Sequence, residues 1–591
     1  MIGMLLMATS CEEYLDKTIE TDLNVEEVFK NFDNSQGFVE EMYAMVVNYG
    51  TAGHWQSYMC YGDDAIGNQS WQFDYRIDQG RYWDWMSDIG NYFYEDPANT
   101  NADYPFDRHG VWQSSWAGIR KANIVIENID LLVDASQEFK DATLGQAYFF
   151  RGFFHHEIMK FWGRIPYIDR ALSSDDWQLP RPETFKETAL AIDQDFEKAA
   201  QLLPLDWDQH PAGQKTLGAN LFRATKGAAL AFKGKNLLWA ASPLMIGSTN
   251  TYEYDQELAK MAVDAFAEVL KLEDQGRYQL ADWENYEDVF YSYSQKTGYR
   301  YPGSTEFIFS GSGDVGWFPR FLGQNFQIGS HSGQRDTQFP THNYIHNNFG
   351  MADGLSCDES PNYDPSNPWE GRDPRFYKWV IVDGEQMVKN LGTANGNDEK
   401  HRYAQFYEGG AHRYPTVDLG TRTGYLTKKW FGQSFNTYDN EIGNYLPFRL
   451  HMRLTDVYLM YAEAAHVAYG PQQTPPSYNI TAEDAINALR ARAGVAPVQF
   501  VDDHQKFMDE IRRERAVELS WEGHRWMDLR RWRLGELEEY KVKTGLRFDK
   551  DHTYFNEEVL RTKIFNEKHY WLPFPQNDTE LYQGFEQNPG W

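Results

Sequence analysis

Cysteine is scarce: the 591 residues hold three, Cys11, Cys60 and Cys357. They form no disulfide framework and lack the paired spacing of a zinc site. Long apolar runs are missing too, and mean hydropathy is −0.67, so no segment reads as a membrane-spanning helix. Basic residues are outnumbered, 56 against 87 acidic, for a net charge of −31. That balance argues against nucleic acid, against polybasic docking on anionic lipid, and against a polyanionic ligand outside some local basic pocket. The catalytic signatures are absent as well: there is no Gly-x-Ser-x-Gly elbow and no phosphate loop closed by Lys-Ser/Thr. What the chain does have is aromatic surface, 20 Trp and 37 Tyr within 41% hydrophobic residues. This is a folding chain with a sizeable core, long enough to suggest several domains. Its Trp and Tyr pair a flat apolar face with a polar tip, which suits wet binding surfaces.

The first eleven residues, Met1 to Cys11, are an apolar run ending Ala8-Thr9-Ser10-Cys11. The pattern resembles a bacterial lipoprotein signal, in which the Cys is acylated and becomes the mature N-terminus. No Lys or Arg precedes the run, which suggests a truncated start, and Ala8 stands where Leu is usual. An ordinary cleaved signal is the alternative. Glu12 and Glu13 follow, as in surface-export signals of Bacteroidetes lipoproteins. The expected result is a polar protein tethered at the cell surface of the outer membrane through Cys11, touching the membrane through that anchor alone.

Apolar spacing predicts helices over Val111–Leu131, Ala142–Trp162, Thr184–Leu203, Leu221–Ala241 and Asp255–Leu272. Thr184 with Glu187 makes a capping box. From about residue 273 to 447 the texture turns to Gly, Asn, Tyr, Phe and Pro, with short strand-like pieces at Glu306–Phe309 and Tyr377–Val382. A second loop-rich aromatic stretch spans 55–104. Long loops in a compact protein are usually functional or disordered, and this aromatic load argues for function. Helices resume over Arg453–Tyr469, Thr481–Ala493 and His504–Trp532, and the tail from Thr553 reads as irregular. The fold class is mainly α, with helix pairs, long loop-rich insertions and a few short strands. The divisions are a signal over 1–11, a helical region over 12–272 carrying the loop 55–104, and a region over 273–591.

Several constellations imitate chemistry. Arg515, Glu518, Glu522, Arg525 and Asp528 share one helical face. Each carboxylate has an Arg within a turn, which lowers its pKa, whereas a general acid needs it raised. The row reads as a structural ion-pair ladder, and Arg453 with Glu463 as a buried pair. His155-His156-Glu157 lacks the i, i+4 spacing of a zinc helix; His342 and His346 have that spacing without the Glu. Asp353, Asp358, Asp364 and Asp373 offer hard oxygen ligands without EF-hand spacing, so a solvated acidic loop is expected and a structural calcium ion has no specific motif behind it. No cofactor is expected.

Two aromatic clusters lie off the helical patterns: Trp71, Phe73, Tyr75, Tyr82, Trp83 and Trp85, then Tyr291, Tyr293, Tyr299, Tyr301, Trp317 and Phe318. Loop packing competes for each ring, but loops run over the surface. A pyranose packs its C–H face on an aromatic plane while its hydroxyls stay wet. At ~25 cal/mol per Å², a stacked ring of roughly 40–60 Å² contributes about 1–1.5 kcal/mol. Trp71, Tyr75, Trp83, Trp85, Tyr293, Tyr301 and Trp317 are the candidate glycan contacts.

Segments spread over the chain resemble the SusD/RagB family of Bacteroidetes nutrient-uptake lipoproteins. They include Trp116-Ala117-Gly118-Ile119-Arg120-Lys121-Ala122-Asn123, Ala147-Tyr148-Phe149-Phe150-Arg151-Gly152-Phe153, Arg372-Asp373-Pro374-Arg375, Glu514-Arg515-Ala516-Val517-Glu518-Leu519, Leu572-Pro573-Phe574-Pro575 and Gln587-Asn588-Pro589-Gly590. The resemblance implies a tetratricopeptide-like helix-pair scaffold, a binding surface built by loops, and a SusC-like TonB-dependent transporter that the protein caps. It also adds Asp64 and Arg375 as contacts near the loop surface. The function expected is capture of an oligo- or polysaccharide and its delivery to the transporter, without catalysis. The alternatives are a peptide-binding member of the family and a glycoside hydrolase.

Overall fold

The computed structural model describes residues 25–47, 61–67, 69–70, 72–86, 110–175, 178–292, 305–311, 326–333, 337–389, 399–439, 441–442, 445–580 and 583–591. About 46% of the chain is helical, with few short strands. In chain order the main helices begin with α1 (Phe32–Ala44), α2 (Phe73–Asp78), α3 (Tyr82–Met86), α4 (Val111–Asn128) and α5 (Gln137–Trp162). Next come α6 (Phe185–Leu202), α7 (Lys226–Ala241), α8 (Gln256–Asp274), α9 (His342–Asn348) and α10 (Pro374–Trp379). The C-terminal set is α11 (Leu454–Tyr469), α12 (Ala482–Ala493), α13 (His504–Glu518) and α14 (Arg525–Arg531).

Local chemistry sets the ends. Thr184 and Thr481 each close a capping box, and Asp255 accepts from the Glu257 and Leu258 amides. Helix α7 starts later than Leu221, because Thr225 caps it by accepting from the Ala228 amide. Helix α5 starts earlier than Ala142; its first turn carries one apolar side chain, Phe139, among polar ones and gives no apolar period. The expected helix His504–Trp532 is two helices. Between them Trp521 and Gly523 take φ of 56° and 85°, and Trp521 is fully buried with its indole N–H on the Asp64 carbonyl. Burying that ring sets the break.

Successive helices α4 to α8 pack each on the next. The chain then leaves for the long insertion and returns as α11, which packs back on α8 and carries α12. The helix-pair stack is thus continuous in space and interrupted in sequence. Close approach demands glycine at Gly118, where a Cβ would sit 2.3 Å from the Phe154 ring.

Besides the two-residue strands Tyr291–Ser292 and Leu446–Pro447, which pair antiparallel with each other, the strands among the described residues are β1 (Ala65–Gly67), β2 (Phe307–Gly311), β3 (Gln338–Pro340), β4 (Val380–Ile381), β5 (Leu426–Thr427), β6 (Arg449–Arg453), β7 (Val542–Phe548) and β8 (Phe555–Thr562). They pair antiparallel as β1 with β3, β2 with β6, β4 with β5, and β7 with β8. Two sequence expectations change here. Tyr377–Trp379 close helix α10, capped by Asp373, and strand begins only at Val380. The tail is not irregular from Thr553, because β8 forms a hairpin with β7.

Two hydrophobic cores result. One fills the helix stack with Phe149, Phe153, Trp162, Phe196, Trp239 and Phe266. The other belongs mainly to the insertion: Tyr286, Phe290, Trp379, Trp430, Phe435 and Trp521. Much of the aromatic load of residues 273–447 therefore buys a core of its own. Among the described residues no helix is long and apolar enough to cross a membrane.

Candidate functional site

The first aromatic cluster does not lie on an open loop; it lies on the short helices α2 and α3. Phe73 and Tyr82 face inward. Tyr75 is half-buried, with the Arg561 guanidinium 4.8 Å over its ring. Trp83 is 39% exposed, the one exposed tryptophan among the described residues. Its ring meets Trp591 edge-on at 6.3 Å, and Tyr82 stacks beneath Trp591 at 5.6 Å. The Trp591 indole N–H is fixed on the Lys568 and Trp571 carbonyls, and the Lys568 ammonium lies 4.3 Å from its ring. Trp83, Tyr82 and Trp591 thus make an aromatic ledge braced from behind. Sequence reasoning missed Trp591; a single Trp after Asn588-Pro589-Gly590 carries no periodic signal.

Ion pairs hold the ledge's support. Asp78 accepts from the Lys543 ammonium and the Arg561 guanidinium, each at 2.9 Å, and Arg561 also reaches Asp74 at 2.8 Å. Burial works to raise the Asp78 pKa, but Lys543, Lys563 and Arg561 outweigh it and hold the carboxyl below its usual range. Helix α2 is thereby clamped to the β7–β8 hairpin.

The two polar residues expected at the surface are inside. Asp64 is wholly buried, and both carboxylate oxygens lack a hydrogen-bond partner among the described residues. Burial first, then the Asp63 charge, pushes its pKa up to about 7. Arg375 is 1% exposed and is consumed by Asp373, Glu514 and Glu518. Neither can meet a sugar, because each sits under the loops that the resemblance placed it near. Of the remaining sequence candidates, Trp71, Tyr293, Tyr301, Trp317 and the lipidation residue Cys11 lie outside the described residues. Trp85 is on α3 with its side chain outside them.

The charged row is a buried network. Arg453 binds Glu306 and Glu522, Arg492 binds Glu306 and Glu518, and Lys429 binds Glu522. Arg515 bridges Asp456 and Asp528. Arg525 leaves the row to pair with Asp63 at 2.7 Å. Despite burial, the Arg492, Arg375 and Arg453 charges hold Glu518 at about 2, the opposite of a general acid. Arg453 and Glu463 are both buried but not paired; Glu463 takes Arg531.

Three imidazoles, His331, His401 and His412, have ligand atoms within 4.8 Å of one another. Their hydrogen bonds set the tautomers. The Gln405 amide donates to His412 Nδ1, so His412 Nε2 carries the proton that faces His401 Nδ1 at 3.1 Å. His331 Nε2 donates to the His401 carbonyl, leaving Nδ1 to the Ser330 hydroxyl. The three rings thus form a hydrogen-bonded chain of imidazoles whose nitrogens lie close enough together to hold a metal ion. Burial pulls His331 down to about 4 and His412 to about 2. His342 and His346 stand on α9, bonded to the Tyr425 hydroxyl and to Asp358. His155 and His156 are buried in α5, on the Arg151 carbonyl and the Asn236 amide oxygen. In the acidic loop, Asp353 accepts from Leu355, Ser360 and Asn362, and Asp364 from Ser366 and Asn367. Those carboxylates fold the loop with their own lone pairs.

The sequence landmarks are architectural. Arg151 clamps α5 to Asp195 of α6 at 2.6 Å and to Asn123 of α4 at 2.8 Å. The Asn588 amide donates to the Trp162 and Leu572 carbonyls, tying the tail to the helix stack.

A helix-pair stack interrupted by a long, self-packed insertion, with an aromatic ledge at its edge, defines a mainly α scaffold with a loop-built second core. The SusD family profile matches residues 305–591, and a profile described as "Starch-binding associating with outer membrane" matches residues 13–238. The chain belongs to the SusD/RagB family. SusD-like protein P2 of Formosa agariphila is 24% identical over 436 residues, 72% of this chain and 71% of the relative. A SusD-like protein from Bacteroides fragilis superposes with a TM-score of 0.70 at 21% identity, covering 96% of this chain and 98% of that one. A second B. fragilis structure, described as a SusD-like carbohydrate-binding protein, gives 0.64 at 21% identity over 94% and 99%. At these identities the structures establish the fold.

Proposed function

We propose that the protein is a non-catalytic glycan receptor of the outer-membrane surface. It is anchored through Cys11, holds an oligo- or polysaccharide on aromatic rings, and hands it to a SusC-like TonB-dependent transporter. The observation that carries this reading is the Trp83 indole, 39% exposed and braced edge-on by Trp591. An exposed apolar plane held rigid by buried neighbours loses little entropy when a sugar ring lies on it. The starch-binding description of the profile over residues 13–238, and the carbohydrate-binding description of one structural neighbour, support the same ligand class. Glu518 of the charged row, and Glu463 beside Arg531, are buried, paired and held at about 2, which leaves them unsuited to protonating a leaving group.

The test is titration of the pure protein with a panel of soluble polysaccharides, followed by a reducing-end assay of the same mixtures. Saturable binding without new reducing ends is the expected result. Turnover abolished by one Asp or Glu substitution would establish a hydrolase instead, and affinity for peptides alone would establish a peptide receptor.

A further inference from the structure

A polar cavity lies in the helical half and shares no lining residue with the aromatic ledge. Its volume is about 360 Å³, and its lining includes Asp206, Asp208, Asn220, Leu221, Arg277 and Tyr278. It forms where the α6–α7 connection folds over the end of α8 and the start of β2. Ligand pockets run from about 300 to 1,000 Å³, so this one suits a small ligand.

Its polar groups are held in place before any ligand arrives. Asp206 Oδ1 accepts from the Asp208 amide at 2.9 Å, which fixes the Asp206 carboxylate. Asp208 in turn accepts from the Asn220 amide at 2.6 Å and from the Gly218 backbone. Asn220, 5% exposed, also accepts from Thr216 and Arg223. Arg277 is held less well. Its Nη1 reaches Asp206 Oδ2 at a long 3.5 Å, its guanidinium carbon lies 5.8 Å from the centre of the Tyr278 ring, and its buried Nε has no hydrogen-bond partner among the described residues. A guanidinium beside a carboxylate with slack between them offers paired donors and acceptors to adjacent hydroxyls. The walls behind are apolar and aromatic: Tyr278 is 4% exposed, and Trp207 3% with its indole N–H on the Ala224 carbonyl. Leu221, 39% exposed, stands at the lip.

We infer that this cavity binds a neutral mono- or disaccharide, as a second saccharide site separate from the aromatic ledge. The hydroxyl pairs of a sugar meet Arg277 and Asp206 while its C–H face lies toward the aromatic wall. The charged lining side chains are two carboxylates and one guanidinium, so an anionic sugar meets a net negative wall and is disfavoured. The inference rests on the glycan-receptor reading above but uses different residues.

The experiment is calorimetric titration of the full chain with maltose, cellobiose, lactose and xylobiose, with D-galacturonate as the anionic comparison. It is repeated on Arg277→Ala, on Leu221→Trp, which closes the lip, and on Trp83→Ala. At least one neutral disaccharide is expected to bind. Its affinity should fall tenfold or more in Arg277→Ala and Leu221→Trp, remain in Trp83→Ala, and exceed that of galacturonate. Unchanged melting temperatures in the two cavity variants separate lost binding from lost folding, and unchanged affinity in Leu221→Trp alone would overturn the site. Polysaccharide binding with no cavity-dependent disaccharide binding would overturn the second site and leave the receptor reading standing. No saccharide binding of any kind would overturn both, and preference for galacturonate would overturn the assigned class.

Discussion

Asp64 shows how far a residue's type can mislead about its place. A carboxylate beside a polar loop suggests ligand contact, yet it is buried with no hydrogen-bond partner among the described residues, and its pKa rises to about 7. The folded state therefore holds a proton that the unfolded chain, at an ordinary 3.8, gives up. Stability from this group is present at low pH and is lost as pH rises toward 7. Asp64→Asn should leave the melting temperature unchanged near pH 4 and raise it above pH 7, as thermal scans across that range would show. Arg375 errs in the same direction for another reason. Removing it leaves Glu514 and Glu518 short of a buried partner, so Arg375→Ala should cost about 3–5 kcal/mol in chemical denaturation. Trp83 stands at the surface. Nothing in the sequence showed that Tyr82, one residue away, turns inward, because a five-residue helix is too short to display a period.

Elements were legible where apolar spacing ran long. Helices α4, α6, α8, α11 and α12 fall close to their expected spans because each has an apolar stripe, and most have a capping side chain. Thr481→Ala should therefore destabilise by about 1 kcal/mol, measured by urea unfolding. The break between α13 and α14 was not legible, since buried Trp521 sets it through a contact with distant Asp64. Strands β7 and β8 were missed for a related reason: the consecutive residues Asn556, Glu557 and Glu558 of β8 are exposed on both faces, so the strand shows no apolar alternation. At the α4–α5 crossing, Gly118→Val should destabilise strongly, because the Phe154 ring leaves no room for a Cβ. A thermal melt tests it, and a variant as stable as the parent would contradict the packing described.

At the scale of the whole molecule, the insertion between α8 and α11 packs its own aromatic core, which a loop-rich composition conceals. The candidate site was legible only in part. Aromatic clustering pointed to Trp83 but not to its brace Trp591, more than 500 residues away in sequence. The molecule also carries a set of buried neutral histidines. Burial holds His155, His156 and His342 at about 3 and His331 at about 4, against 6.5 unfolded. Each favours the fold above pH 6.5 and loses that contribution as pH falls toward its folded value, with a slope of about 1.4 kcal/mol per pH unit. Their sum opposes and exceeds the effect of Asp64, so the urea midpoint should fall steadily from pH 6.5 to 4. The claim on which the function rests is that exposed indoles hold the glycan. Calorimetry of a polysaccharide that binds the parent, repeated on Trp83→Ala, tests it most directly. A loss of affinity of about tenfold, with the melting temperature unchanged, is the predicted result; full affinity in that variant would contradict it.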